Sequence, residues 1–383
     1  MYDGEQGWAY QTAMKILVKL GDLFGATRLI PIESAHISGV SYKTIGDAPI
    51  GFLEALVEDG ARSKVVSTVN PGGLDYQHLV DVAVPPKVRE KQLRIVSLYE
   101  KIGIEPALTC TPYYLRKPRR GVHLAWAESS AVIYANSVLG SWTNREGGPS
   151  ALAAALTGKT PDYGMHRREN RQADIRVKVE AELGNEAEFG ALGIHLGKLL
   201  EDMVPVFDGL PDHGKAELKQ LGAALASSGM TPTFHLHEPC RKEDAQLESL
   251  TVEKNALEES FQSLSTSSET PDLIFVGCPH CSLGELRHAA ELIKGKKVAR
   301  DVMFWACASR HVRENAGRYV RAIEHAGGRV VCDTCAVVTW VKELGVDTLM
   351  TNSAKTAYYA PTLNKVKVRF APLTECINTA CRQ

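Results

Sequence analysis

The sequence lacks a dominant charge. Its 44 Lys and Arg residues are balanced by 45 Asp and Glu, a formal net charge of −1, so no global basic field draws it to nucleic acid or to an anionic membrane surface. It also lacks a long apolar run: no stretch approaches the roughly 20 residues that a membrane-spanning helix needs. The opening residues, MYDGEQGWAYQTAMKILVKLGDLFG, carry acids early and set Ala9, Ala13, Ile16, Leu17 and Leu20 at helical spacing. That is the pattern of an amphipathic helix rather than of a secretory leader. No internal repeat is evident. The expectation is a cytoplasmic globular protein with no nucleic-acid or membrane partner. At 383 residues, 44% hydrophobic and 23% charged, it should divide into two or three domains.

Cysteine, by contrast, is plentiful. There are nine, an odd number that leaves at least one unpaired, and a cytosolic chain of this size rarely forms disulfides. Buried thiols, metal ligands and reactive thiols are the alternatives.

The C-terminal part is the most legible. Residues 273–276, 302–305, 329–331, 348–350 and 366–370 read as short apolar strands. Between and after them come helical patterns at 283–293, 312–323, 337–344 and 373–380, with Gly295 and Gly327-Gly328 closing the first two. This alternation predicts a doubly wound parallel α/β domain whose sheet is covered on both faces. Polar and sulfur-bearing residues follow the strands: Cys278 and Cys281 after the first, Cys307 at the second, Cys332 and Cys335 after the third, Asn352 to Lys355 after the fourth. Ligands of open α/β sheets bind beyond the carboxyl ends of the strands, so topology should gather these residues along one edge.

The N-terminal half is also mixed α/β. Residues 64–69 read as a strand leading into Asn70-Pro71-Gly72-Gly73, and 106–109 as another leading into Cys110. Residues 34–39, SAHISG, read as a loop after an apolar segment at 29–32. The small and polar residues of 125–145 suit a tight core or a substrate cradle. The charged, Ser-rich segment 241–270, with Leu247, Leu250 and Leu257 in a helical pattern, reads as a surface helix and loop. The division is placed at 205/206: N-terminal α/β substructure with the cradle and Cys110 over 1–205, and the doubly wound part with Cys278 and Cys335 over 206–383.

Two CxxC pairs, Cys278/Cys281 and Cys332/Cys335, admit three readings. All four cysteines could hold a structural zinc. Either pair could be a redox dithiol. One cysteine from each pair, with Cys110 as the third, could hold an iron–sulfur cluster. Cys240, Cys307 and Cys376 suit simple buried thiols. A cluster held by three cysteines leaves one iron open to a substrate hydroxyl and carboxylate, where it acts as a Lewis acid. Loss of water then needs a base for the proton beside the carboxylate.

Ser38, Gly39, Asn70, Ser129, Ser130, Asn136, Asn144, Arg145 and Glu146 are the candidate substrate-binding residues, supported by Ser137 and the Gly147-Gly148 pair. Arg145, Arg167, Arg168 and Lys355 are candidate anion partners. Taken singly, a Ser or Asn is more often a cap or turn residue, and an Arg a solvated surface charge. His36 and His280, each in a Gly- or Pro-marked turn, are the candidate catalytic histidines, and Lys355 joins them. His123, His166, His195, His235 and His237 read as structural.

Longer segments carry a resemblance. SAHISGVS, NPGG, CTPYY, WAESSAVIYANSVLG, TNREGG, TGKTPDYGMHRRENR, GCPHCSLGEL, CDTCAVV and TNSAKTAYYAP together resemble aconitase X, a family within the aconitase superfamily, across nearly the whole chain. The resemblance implies an aconitase-like fold, several three-layer α/β lobes with mostly parallel sheets around a central iron–sulfur cleft. It implies a [4Fe-4S] cluster on Cys110, Cys278 and Cys335. Aconitases carry a mobile fourth domain that brings a serine base, whereas this chain stops at Gln383, soon after its last α/β unit. Archaeal members of the family look split, with a separate small subunit; bacterial members are more often fused and act on cis-3-hydroxy-L-proline. The expected activity is therefore dehydration of (R)-mevalonate 5-phosphate to trans-anhydromevalonate 5-phosphate, in concert with a small subunit carrying the swivelling domain and the serine base. A hydroxyproline-type dehydratase and a zinc-binding CxxC scaffold are the alternatives.

Overall fold

The computed structural model describes residues 1–75, 77, 84–211, 213–236 and 247–382. His237, Cys240 and residues 241–246 of the charged segment lie outside the described residues. The chain forms two compact units, Met1–Gly73 with Val84–Gln172, and Leu74–Ala83 with Ala173–Gln383. The division expected at 205/206 falls inside the second unit, where it would separate strands that are hydrogen-bonded to each other.

The first unit contains β1 (Leu29–Pro31), β2 (Ser34–Ser38), β3 (Val66–Asn70), β4 (Ala125–Trp126) and β5 (Lys159–Pro161). β1 and β5 form an antiparallel ribbon. The others form a parallel sheet in the order β3-β2-β4, with Ser38 opposite Asn70 and His36 opposite Trp126. Residues 34–38, expected as a loop, are thus the central strand. Ala35 and Ile37 enter the hydrophobic core, while the alternate positions carry Ser34, His36 and Ser38, an alternation that is itself a strand pattern. The strand expected at 106–109 does not form. Glu105 bridges to Thr68, but Pro106 has no N–H to extend the ladder and Leu108 takes a positive φ of 46°.

The helix Trp8–Leu23 buries Ala9, Ala13 and Leu17, three of the five residues of the predicted stripe, while Ile16 and Leu20 are half-buried, and it packs on the helix Gly148–Thr157. The second helix is rich in fully buried alanines, so the two backbones approach closely. Pro149 opens it and Gly158, at φ 71°, closes it. Segment 125–145 is core as well as cradle: after β4 come the helix Ser129–Tyr134 and a single π-helical turn, Ala135–Leu139. Trp126, Ala131, Val132, Tyr134 and Ala135 cluster with Tyr113 and Leu124.

The second unit holds two parallel sheets. The smaller contains β6 (Ile175–Val179), β7 (Pro205–Asp208) and β8 (Ser249–Val252), in the order β7-β6-β8. β8 takes up Leu250, so the expected helical pattern through 247, 250 and 257 begins only at the helix Lys254–Ser263; the alternating Ser-Leu-Thr-Val run suits a strand better. The helices Glu186–Leu200 and Lys215–Ser228 pack against each other without clearance. A Cβ at Gly193 would stand 2.5 Å from the Leu221 carbonyl oxygen and 2.6 Å from Ala224 Cβ.

The larger sheet contains β9 (Leu273–Cys281), β10 (Met303–Ala308), β11 (Arg329–Val331), β12 (Thr348–Thr351) and β13 (Lys367–Phe370). Its order is β11-β10-β9-β12-β13 and every pairing is parallel. β9 is central and buried along all nine residues. Helices form at Leu283–Ile293 and Leu373–Ala380 as the pattern predicts. The helix expected over 312–323 is two, Arg310–Asn315 and Gly317–His325, broken at Ala316. Residues 337–344 are not helical. Val337, Val338, Thr339 and Val341 are β-branched and resist helix formation, and the N–H groups of Val338 and Thr339 both turn back to the Cys335 carbonyl, at 3.2 and 3.0 Å. Chain order reverses between β9 and β12, which opens a crevice at their carboxyl ends. Among the described residues no helix is long and apolar enough to cross a membrane.

Candidate active site

In the second unit the crevice begins at Gly277. Its φ is +99°, and a Cβ there would strike the Cys307 carbonyl oxygen and stand 2.9 Å from both Cys281 Sγ and the Cys307 nitrogen. Only glycine lets β9 pass β10 at this point and deliver Cys278, which is buried. Cys335 sits in the turn beyond β11. Burial and then the neighbouring Cys278 push its thiol up to about 12, while the Lys355 ammonium opposes them. Each of those influences requires proximity, so Cys278 and Lys355 both lie near Cys335. Lys355 stands in the first turn of the helix Ala354–Leu363, which Ser353 caps by accepting from the Thr356 N–H at 3.2 Å.

The other cysteine of each pair has different surroundings. Cys281 is raised to about 12 by burial and by Glu285. Cys332 is raised by burial, Asp75 and Asp333; its N–H donates to Asp75 Oδ2 at 2.7 Å, and Asp333 is ion-paired with Arg310. The eight described cysteines are free thiols. Among the described residues no group of three or more His, Cys, Asp or Glu side chains is gathered closely enough to hold a metal ion as it stands.

His280 is not in an open turn. It is the last residue but one of β9, is fully buried, and its Nε2 meets the Thr334 carbonyl oxygen at 2.8 Å. Cys307 donates its Sγ–H to the same oxygen at 3.0 Å. Cys307 and Cys376 are buried, as their reading as packing thiols requires.

In the first unit the polar residues meet at the carboxyl edge of β3-β2-β4. Ser38 and Asn70 end adjacent strands, and Gly39 follows at the surface. Asn70 Nδ2 donates to Glu128 Oε2 at 3.2 Å, and Ser130 Oγ donates to Glu128 Oε1 at 3.1 Å. Glu128 also accepts from the Ser130 backbone N–H at 3.5 Å, which caps the helix that starts with Ser129 and Ser130. His36 is 0% exposed and its Nδ1 lies 2.7 Å from Thr68 Oγ1. Burial lowers its pKa to about 4, against the upward pull of the Glu128 carboxylate, the Thr109 backbone and the Asn70 amide, so the ring is neutral at pH 7. His36 Nε2 and Asn70 Oδ1 are buried without hydrogen-bond partners. Cys110 follows Thr109 directly and is 8% exposed. The helix Gly148–Thr157 also begins here, since a Cβ at Gly148 would lie 2.8 Å from the Ser38 carbonyl oxygen.

Three candidate residues spend their side chains on the chain itself. Asn136 pairs with the Thr143 backbone through both amide atoms, at 3.0 and 2.9 Å, and accepts from Arg171 at 3.1 Å. Asn144 accepts from the Met165 N–H at 2.7 Å and donates to the Tyr163 carbonyl at 3.1 Å. Glu146 is buried and accepts from Ser150 Oγ at 2.5 Å and Thr160 Oγ1 at 3.1 Å; burial raises its pKa against those two bonds. Arg145 and Arg168 are exposed, and Arg167 reaches the Gly25 carbonyl at 3.4 Å. His123 and His166 share an Nδ1–Nδ1 contact of 3.0 Å.

Sequence reasoning missed Glu128 and Lys219. An acid directly before Ser129-Ser130 at a helix start is a capping signal and could have been read. Lys219, buried on the helix Lys215–Ser228, gave no signal, because a lysine at a helical position reads as surface.

Comparison with known proteins is unambiguous about ancestry. Residues 1–169 match the family described as Aconitase X first domain, 173–262 the Aconitase X second domain, and 271–382 the Aconitase X third domain. The phosphomevalonate dehydratase large subunit of Methanothermobacter thermautotrophicus is 48% identical over 94% of this chain and 92% of its own. That of Methanocaldococcus jannaschii is 44% identical over 98% and 96%. A cis-3-hydroxy-L-proline dehydratase of Pseudomonas aeruginosa is 36% identical over 98% of this chain but only 68% of its own. The crystal structure of Thermococcus kodakaraensis aconitase X in its holo-form superposes with a TM-score of 0.92 at 42% identity, covering 99% of this chain and 97% of that one. The chain belongs to the aconitase X family.

Proposed function

We propose that the chain is the large subunit of a cytoplasmic hydro-lyase that converts (R)-mevalonate 5-phosphate into trans-anhydromevalonate 5-phosphate. The supporting observation is the end-to-end match to two archaeal phosphomevalonate dehydratase large subunits, against coverage of about two thirds of the hydroxyproline enzyme. In the reaction the C3–O bond breaks with its electron pair on oxygen, a proton leaves C2, and the C2–C3 double bond forms.

The donor chemistry fits an iron–sulfur cluster. Thiolates are the ligands such clusters use. Cys278 and Cys335 are neighbouring free thiols at the crevice, and the buried Thr334 Oγ1, next in sequence to Cys335, has no partner. We assign Cys110, Cys278 and Cys335 as the residues that would hold a [4Fe-4S] cluster. When bound, the cluster supplies a Lewis-acidic iron that weakens the C3–O bond.

The remaining roles fall to side chains. Lys355, near Cys335, offers a positive charge to an anionic substrate. Ser38, Gly39, Asn70, Ser129 and Ser130 present hydroxyl, amide and backbone groups along one sheet edge. Neutral His36 stands at the same edge, its ring able to give or take a hydrogen bond. Arg145 is an exposed cation for the phosphate. Asn136, Asn144 and Glu146 brace the cradle from behind. The base that removes the C2 proton is assigned to a serine on the swivelling domain of the small partner subunit.

The test is anaerobic co-purification with the small subunit, followed by iron, sulfide and zinc analysis, EPR of the reduced sample, and turnover of mevalonate 5-phosphate against cis-3-hydroxy-L-proline. Cys110→Ser, Cys278→Ser and Cys335→Ser should each lose iron and sulfide, whereas Cys281→Ser should keep them. Stoichiometric zinc without sulfide would overturn the cluster assignment, and turnover by the large subunit alone would overturn the division of labour.

A further inference from the structure

The end of β9 that carries Cys278 is held by a buried ammonium. Lys219 is 1% exposed, and its Nζ donates to the carbonyl oxygens of Pro279 at 3.2 Å and His280 at 2.9 Å, and pairs with Glu285 Oε2 at 2.7 Å. Glu285 is itself fixed, because the same oxygen accepts from the Ser282 N–H at 2.8 Å in a capping box. Burying a lysine is unfavourable unless it is paired and hydrogen-bonded, and a Leu or Met would fill the same volume at no such cost. Its acceptors are the first two carbonyls after Cys278. The side chain of His280 reaches to the turn that holds Cys335. A carbonyl only accepts, so His280 Nε2 carries the proton in its 2.8 Å bond to the Thr334 oxygen, and Thr334 immediately precedes Cys335. A continuous run of contacts thus joins Lys219, the 279–280 backbone, the His280 ring and the Cys335 turn.

We infer that Lys219 and His280 are positioning residues that set Cys278 and Cys335 at the spacing the cluster requires before it binds. This rests on the cluster reading of the preceding section. Outer partners that orient metal ligands change metal retention without being ligands themselves. Lys219 fixes the backbone on one side of Cys278, and His280 ties that backbone to the residue before Cys335.

The experiment uses the anaerobically co-purified complex carrying Lys219→Met, Lys219→Arg, His280→Leu or His280→Gln. Three quantities are read: the melting temperature of the cluster-free protein, iron and sulfide content with the EPR signature, and the rate of iron loss to a chelator well below that melting temperature. Lys219→Met and His280→Leu should lose iron roughly 10- to 100-fold faster than wild type, the effect of removing an outer partner, with an altered EPR line shape. Lys219→Arg and His280→Gln, which keep a donor, should recover part of the loss. Unchanged iron-loss rates and EPR spectra in folded Lys219→Met and His280→Leu would overturn the inference, as would a fall in melting temperature alone. If Lys219→Met does not fold, the His280 pair decides by the same criteria. A wild-type complex without iron and sulfide sinks the cluster reading itself, and the positioning role with it, which is a different result from a loaded wild type with indifferent variants.

Discussion

Replacing Gly193 with alanine sets two local effects against each other. In an isolated helix the change should stabilise by about 1 kcal/mol, because glycine is the poorer helix former. In the native unit the new Cβ would sit 2.5 Å from the Leu221 carbonyl oxygen, 2.6 Å from Ala224 Cβ and 3.1 Å from the Leu225 nitrogen. Two of these three atoms are backbone of the facing helix, so relief requires the whole helix to move. Overpacking of this kind costs about 1–3 kcal/mol, and with two backbone atoms in the way the upper part of that range applies. A net loss of about 1–2 kcal/mol follows. The displacement also bears on the crevice, because Glu186 at the start of the same helix accepts from Asn352 Nδ2 at 2.9 Å and from the Leu373 N–H at 3.0 Å. The control is Gly51, an exposed helical glycine in the first unit with nothing within 4 Å of an added Cβ; Gly51→Ala should gain up to about 1 kcal/mol. Hydrogen exchange reads both helices locally, without assuming that the two units unfold together. Amides of 186–200 should exchange roughly 5- to 30-fold faster in Gly193→Ala, and those of 48–58 more slowly in Gly51→Ala. Slower exchange over 186–200 in Gly193→Ala would refute the packing argument.

Acid should expose the buried histidine pair. His166 is lowered to about 3 by burial and then by His123, so its ring stays neutral in the folded state while an unfolded one takes up a proton below about 6.5. The associated stability is fully present above that value and is lost as pH falls, by about 1.4 kcal/mol per pH unit, until pH approaches the folded value near 3. Urea unfolding at pH 7 and pH 5 should show the loss, and His166→Phe should flatten its slope; an unchanged slope would remove His166 as the cause. Asn136→Ala strands the Thr143 N–H and C=O in a buried loop and should cost about 1–3 kcal/mol. The melting temperature should fall while Asn136→Asp, which keeps one acceptor, falls less, and equal losses would show that the amide pairing is not what matters.

How much was legible beforehand follows from how local each signal is. Segment 273–380 could be read as alternating strands and helices because its strands are short, apolar and punctuated by glycine and cysteine, and because Gly295 and Gly327 mark helix ends close by in sequence. The same reasoning failed at 337–344, where β-branched residues near a cysteine turn imitate a helical stripe, and at 34–38, where a central strand carries His36 and two serines. The strict alternation of Ala35 and Ile37 with Ser34, His36 and Ser38 is itself a strand pattern, so this element was legible in the sequence. Of the candidate site, the cysteines, Lys355 and the Ser38–Asn70 edge could be proposed from their place after strands. The inward commitment of Asn136, Asn144 and Glu146 could not, because an amide that pairs with backbone and one that waits for a substrate are the same letter in a sequence.

By itself, then, the sequence determined the α/β class, the strand-following placement of the sulfur and polar residues, and through its long motifs the aconitase X resemblance. Tertiary structure alone decided the order β11-β10-β9-β12-β13 that makes a crevice beside Cys278, the separation of each CxxC pair into two environments, and the burial of Lys219 against carbonyls 60 residues away. The physical reason is range. Propensity, capping and periodicity act within a few residues and leave their mark on the local sequence, whereas sheet order and the pairing of a buried charge depend on contacts that exist only once distant segments have packed together.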